Sequence, residues 1–222
     1  MPSPPSLDPG RIRAIVFDLD GTLVDSYAPI TASLNRARRA YDLPEMAVDE
    51  VRRSVGHGLE SLIADLVGPD RVDDGVRLFR EHYAASFASG TFALPEVAST
   101  LAILRDRGYR MSVASNKPAR FGRAILEALD LDIHFDDVLG PDRVGHAKPH
   151  PAMIRRCLEA MQTEAGETAY VGDMVLDVET AAVAGLPVIL VAGGSSSDAE
   201  LAETGERVLP SLGGLLEILD RA

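Results

Sequence analysis

Tryptophan is absent from this chain, cysteine occurs once, and only two of the 22 basic residues are lysines. The lone Cys157 excludes an internal disulfide framework and suits a reducing compartment, so a cytoplasmic protein is expected. It falls in the stripe Ile154, Cys157, Leu158, Met161 and reads as a core residue rather than a nucleophile. No apolar run approaches the roughly 20 residues that span a bilayer, so no membrane association is expected. The opening MPSPPSLDPGRIR has prolines but no apolar h-region, and residues 1–10 are expected to form a loose tail. Positive charge is scarce too. A net charge of −12 argues against nonspecific binding to nucleic acid or an anionic surface. An anionic substrate would therefore need a local positive site.

What is present is ordinary for a folded protein: 222 residues, 46% hydrophobic and 25% charged, enough for one large domain with a smaller companion. The most informative stretch is Ile15-Val16-Phe17-Asp18-Leu19-Asp20-Gly21-Thr22-Leu23-Val24. The run Ala14 to Phe17 fits a strand buried on both faces. It ends in two aspartates that alternate along extended chain and so can face one site. Carboxylates about 4 Å apart repel by roughly 4 kcal/mol at an effective dielectric near 20, unless a cation or proton intervenes. Stability alone gives little reason to place them there.

Helical spacing follows at once: Ile30, Leu34, Ala37 and Tyr41, then Leu59, Leu62, Ile63 and Leu66, then Val76, Phe79, Tyr83 and Phe87. No strand-like run interrupts residues 25–91, so a small helical unit is inserted directly after the acidic turn. From Phe92 onward helices and strands alternate, with strands expected at Arg110 to Ser115, Asp137 to Leu139, Ala169 to Val171, Pro187 to Val191 and Arg207 to Leu209. That alternation predicts an α/β fold with a mostly parallel sheet covered on both faces, whose site lies at the carboxyl ends of the strands.

Four strand ends, or the loops after them, carry reactive groups: Asp18 and Asp20; Ser115-Asn116-Lys117; His146-Ala147-Lys148-Pro149; and Gly172-Asp173 with Asp177 beyond. Both lysines of the chain lie in these loops. Lys148 is the stronger candidate, because Pro149 and Pro151 stiffen its surroundings; Lys117 reads equally well as a solvated residue at a helix start. Asp18 and Asp173 are hard oxygen ligands suited to Mg²⁺, which keeps waters and binds substrate phosphate. A hydroxyl, an ammonium and turn amides match phosphate oxygens. A carboxylate attacking the phosphorus would split one difficult hydrolysis into two easier steps. The second carboxylate is free to act as general acid and base.

FDLDGTLVDS, SNK, KP and GDMVLD together resemble the four ordered motifs of the haloacid dehalogenase superfamily of phosphatases. The resemblance implies a Rossmann-like core over residues 11–24 and 92–222, with a helical cap over 25–91. It implies Asp18 as nucleophile and Asp20 as acid and base. Ser115 and Lys148 would bind the phosphoryl group, supported by Asn116 and Thr22. Mg²⁺ would be held by Asp18, the backbone carbonyl of Asp20, and Asp173, with Asp177 one step behind. Asp20 argues against the namesake dehalogenases, which lack it, and the absence of lysine from 25–91 argues against phosphonoacetaldehyde hydrolases. The segment RRSVGHGLE and the late AGGSSSDAELAETGERVLPSL are similar to phosphoglycolate phosphatases, from which Met174 departs. Gly56-His57-Gly58 lacks the third glycine and preceding strand of a dinucleotide loop. It reads either as a helix–helix turn or as a cap loop over the substrate. The expected partner is a small phosphorylated metabolite, 2-phosphoglycolate first, with sugar phosphates, nucleoside monophosphates or pyrophosphate as alternatives. A phosphate-binding regulator without turnover is the rival of another class, which the four retained acids disfavour. Monomer and homodimer both remain open.

Overall fold

The computed structural model describes residues 3–220. Strand β1 (Ala14–Phe17) leads through the acidic turn to β2 (Val24–Asp25). The insertion then supplies α1 (Tyr27–Arg39), α2 (Val48–Arg52), α3 (Leu59–Leu66) and α4 (Val72–Ser86) before β3 (Phe92–Ala93). Next come α5 (Val97–Asp106), β4 (Arg110–Ala114), α6 (Ala119–Ala128), β5 (Asp137–Leu139), α7 (Pro141–Val144) and α8 (Ala152–Met161). The chain finishes with β6 (Thr168–Gly172), α9 (Val175–Ala184), β7 (Val188–Val191), α10 (Asp198–Glu203), β8 (Arg207–Leu209) and α11 (Leu215–Ile218).

Six strands form one parallel sheet in the order β5-β4-β1-β6-β7-β8. Side chains alternate across it with the two-residue period of extended chain. Ile15, Phe17, Met111, Val113, Ala169, Val171, Ile189 and Val191 face α5, α6 and α11 in one apolar cluster. Ala14, Val16, Ala114, Tyr170, Val188 and Leu190 face α8, α9 and α10 in the other, where Cys157 is fully buried. This is why the strands read as continuous apolar runs: neither face meets water. Helices α1 to α4 pack around a third cluster of their own, including Tyr27, Leu34, Ile63, Phe79 and Tyr83, with Phe121 of α6 joining it.

The ribbon of β2 and β3, antiparallel and two residues per strand, closes the base of the insertion. The sequence pattern did not predict it, because two residues carry no periodicity. The short α2 and α7 escaped for the same reason. Of the tail expected over 1–10, residues 1 and 2 lie outside the described residues. The remainder carries no helix or strand, yet Leu7 packs against the first cluster and is not loose. No helix among the described residues is long and apolar enough to cross a membrane.

Candidate active site

Strand β1 lies between β4 and β6, so parallel pairing brings the ends of all three to one rim. Asp18, just past β1, is buried, and its Oδ2 lies 2.9 Å from Lys148 Nζ. Lys148 Nζ also donates to Asp177 Oδ1 at 2.8 Å and to the Tyr170 hydroxyl at 3.2 Å, which itself donates to the Ala114 carbonyl. Burial works against the charge of Lys148. The carboxylates of Asp177 and Asp18 outweigh it and hold its pKa well above the usual lysine range.

Asp173 follows β6 and is completely buried. Its Oδ1 accepts from the Thr22 hydroxyl and its Oδ2 from the Ser195 amide, both at 2.7 Å. Two glycines make room for it. Gly21 adopts φ +85° in the acidic turn, where an added Cβ would meet Asp173 Oδ2 at 2.5 Å. A Cβ at Gly194 would overlap the same carboxylate. Burial, then the neighbouring Asp177 and Asp18, raise the Asp173 pKa well above the ordinary carboxylate range despite the two bonds it accepts. Asp177 sits in the first turn of α9, where its Oδ2 accepts from the amides of Asp173 and Met174 at 3.0 Å each. Burial raises its pKa also, with Lys148 pulling in the opposite direction.

The oxygens of Asp18, Asp173 and Asp177 come within 4.8 Å of one another. Both Asp177 oxygens are engaged by Lys148 and the two amides, whereas Asp18 Oδ1 is buried with no hydrogen-bond partner among the described residues. Three buried carboxylates against one lysine leave an excess of negative charge that a small hard cation beside Asp18 and Asp173 would fit. Asp177 bonds Lys148 and the loop that carries Asp173, so its two oxygens are already engaged.

Asp20 points elsewhere. It accepts from the Ser26 hydroxyl, and its Oδ2 lies 3.1 Å from Lys117 Nζ. The Lys117 side chain, 7% exposed, is therefore enclosed and paired rather than solvated. It donates to the Tyr83 hydroxyl of α4 at 2.7 Å, so it ties the second carboxylate to the insertion. Burial opposes its charge, but Asp20 and then Tyr83 raise its pKa.

The other sequence candidates divide. Ser115 lines the cleft between sheet rim and insertion, and its oxygen accepts from the Lys117 amide at 3.4 Å. Asn116 spans the cleft: its Oδ1 accepts from the Lys148 amide at 2.7 Å and its Nδ2 donates to the Gly56 carbonyl at 2.8 Å. Thr22 serves Asp173 and is not among the residues lining the cleft. Gly56 and Gly58 line it, while His57 is exposed and lies outside the lining. Met174 packs against Gly56, which gives its side chain a place at the seam between insertion and core. Arg52 braces that seam, donating to the Gly193 carbonyl at 3.0 Å with its guanidinium 4.3 Å over the Tyr27 ring. His146 and His150 stack on each other at 3.9 Å on the exposed side of the Lys148 loop. Sequence reasoning did not single out Ser26, Tyr83, Tyr170 or Ser195. Tyr83 was visible only as part of an apolar stripe, and nothing local marks the others.

A family model described as haloacid dehalogenase-like hydrolase matches residues 15–191. A curated protein of Rhodospirillum rubrum named phosphoglycolate phosphatase is 38% identical over 197 residues, covering 84% of this chain and 82% of its own length. One of the same name from Aquifex aeolicus is 33% identical, covering 82% and 86%. The crystal structure of a predicted phosphatase from Clostridium acetobutylicum superposes with a TM-score of 0.85 at 26% identity, covering 93% of this chain and 97% of that one.

Proposed function

The chain belongs to the haloacid dehalogenase-like hydrolase family, and we propose that it hydrolyses small phosphomonoesters, 2-phosphoglycolate first among them, with Asp18 as nucleophile. The observation that carries this reading is the pair of unequal oxygens on Asp18. Lys148 holds Oδ2, while Oδ1 has no partner among the described residues, in a residue that lines the cleft. Oδ1 attacks phosphorus, the bond to the leaving oxygen breaks, and Asp20 supplies the proton that oxygen needs. Asp20 then takes a proton from the water that attacks the aspartyl-phosphate, which releases inorganic phosphate and restores Asp18. Lys148 and the Ser115 hydroxyl bind phosphoryl oxygens, and Asn116 positions the Lys148 backbone through the bond it accepts. Mg²⁺ would be held by Asp18, the carbonyl of Asp20, and Asp173, and when bound it neutralises carboxylate and phosphate charge.

Residues 25–91 act as the cap that selects the leaving group, on the core of 11–24 and 92–222. The cavity measures about 80 Å³, and a water needs roughly 10–15 Å³ by the same measure. That leaves room for a two- or three-carbon phosphate. The names of the relatives point to 2-phosphoglycolate within that class.

The test is a panel of phosphate esters ranked by kcat/KM with and without Mg²⁺. The expected result is metal-dependent release of phosphate led by 2-phosphoglycolate and abolished in Asp18→Asn. Substantial turnover by that variant would remove Asp18 as nucleophile. A nucleotide or hexose phosphate at the head of the ranking would replace the substrate.

A further inference from the structure

The wall of the cleft that faces the leaving group is apolar, formed by Ile30, Val55, Leu59, Leu62, Phe79 and Phe121. A carboxylate carried into such a wall is strongly disfavoured unless a cation meets it. Two cations stand among the lining residues, Lys117 and Arg80. Lys117 is already committed to Asp20 and Tyr83.

Arg80 is differently placed. Its Nη2 donates to Glu60 at 3.0 Å, a partner whose side chain is 63% exposed, so this ion pair is weak and replaceable. Its Nε is buried and has no hydrogen-bond partner among the described residues. A buried donor left without an acceptor asks for an explanation. Nε and Nη2 form one edge of the guanidinium, which matches the two oxygens of a carboxylate. One donor of that edge is unpartnered but enclosed and the other is loosely held on a side chain 43% exposed, so the edge is reached when Arg80 turns from Glu60. Arg80 also lies three residues before Tyr83 on α4, so the two share a helix face one turn apart. The Tyr83 hydroxyl reaches Lys117, which reaches Asp20. Arg80 thus stands about one helical turn, roughly 5 Å, along α4 from Tyr83, on the insertion side of the Lys117–Asp20 pair.

We propose that Arg80 is the specificity residue of the site and binds the distal carboxylate of a small phosphorylated acid through the Nε–Nη2 edge of its guanidinium. This rests on the reading of the site as a phosphatase for such substrates. Binding displaces Glu60 toward solvent and turns the guanidinium edge toward the cleft, where Nε gains the acceptor it lacks. A phosphate ester ending in a neutral hydroxyl offers that edge one uncharged acceptor in place of two charged oxygens and gains less from it.

The experiment compares 2-phosphoglycolate with 2-hydroxyethyl phosphate, in which a neutral hydroxymethyl group replaces the carboxylate. The wild-type protein is expected to prefer the acid. In Arg80→Gln the ratio of the two kcat/KM values falls by about tenfold to a hundredfold, the range of a charge-assisted hydrogen bond, and the loss sits in KM for the acid. Arg80→Lys keeps the charge without the two-donor edge and falls between. An unchanged ratio in both variants overturns the assignment of Arg80, and so does an equal loss on both esters. A wild-type protein with no preference for the acid overturns the substrate reading instead. The two failures are therefore distinguishable.

Discussion

Replacing Asp173 by Asn should make the metal-free protein more stable, although it removes a proposed metal ligand. Asp18, Asp173 and Asp177 crowd within 4.8 Å, and the ion pairs of Lys148 go to Asp18 and Asp177. Two unit charges at that separation repel by about 3.5 kcal/mol at an effective dielectric near 20, and Asp173 meets two such neighbours. Part of that repulsion is offset by the bonds from Thr22 and Ser195, each worth about 1.5–3 kcal/mol to a charged acceptor; asparagine keeps one acceptor. The balance is a gain of about 2 kcal/mol, or about 4–8 °C in Tm for a chain of this length. The pH dependence has a definite sign. Burial and the two neighbouring carboxylates raise the folded pKa of Asp173 above its unfolded value. Its protonated form therefore favours folding below the ordinary carboxylate range, and that contribution is lost as pH rises through the raised folded value. The advantage of Asp173→Asn should be small near pH 4 and grow toward neutral pH. Calorimetric melts in EDTA at several pH values measure it. Added Mg²⁺ should reverse the order by stabilising the wild-type protein more than the variant. A variant that melts below wild type at pH 8 in EDTA, or equal gains from Mg²⁺, would refute the charge balance.

Two further outcomes follow from the same cluster. Lys148→Met leaves buried carboxylates uncompensated and should cost about 3–5 kcal/mol, seen as a fall in Tm together with loss of phosphatase activity; a Tm within about 2 °C of wild type would contradict the pairing. Gly194→Ala presses a methyl group against Asp173 and should weaken Mg²⁺ binding by about tenfold or more, read as a shift in the Mg²⁺ dependence of turnover.

Much of the core was legible because parallel strands buried on both faces must be apolar along their whole length. The runs Ala14 to Phe17, Ala169 to Val171 and Pro187 to Val191 state this locally. Asp18, Asp173, Asp177 and Lys148 were legible as a group because they follow strand ends, and a parallel sheet carries strand ends to one rim. Tyr83 was not. Its spacing is that of a core residue, which it is, and only its hydroxyl leaves the cluster to reach Lys117. Lys117 was ambiguous because a lysine at a helix start is ordinarily solvated.

By itself, then, the sequence determined the layered core, the acidic turn and the types of group gathered there, since period and strand-end position are local properties of a chain. The tertiary structure alone decided who pairs with whom. Thr22 turns to Asp173 across 151 positions of chain, His57 stays outside the cleft, and Arg80 enters it with a donor to spare. Such pairings depend on how the helical insertion seats against the sheet. That seating comes from side-chain packing between segments far apart in the chain, which no local pattern encodes.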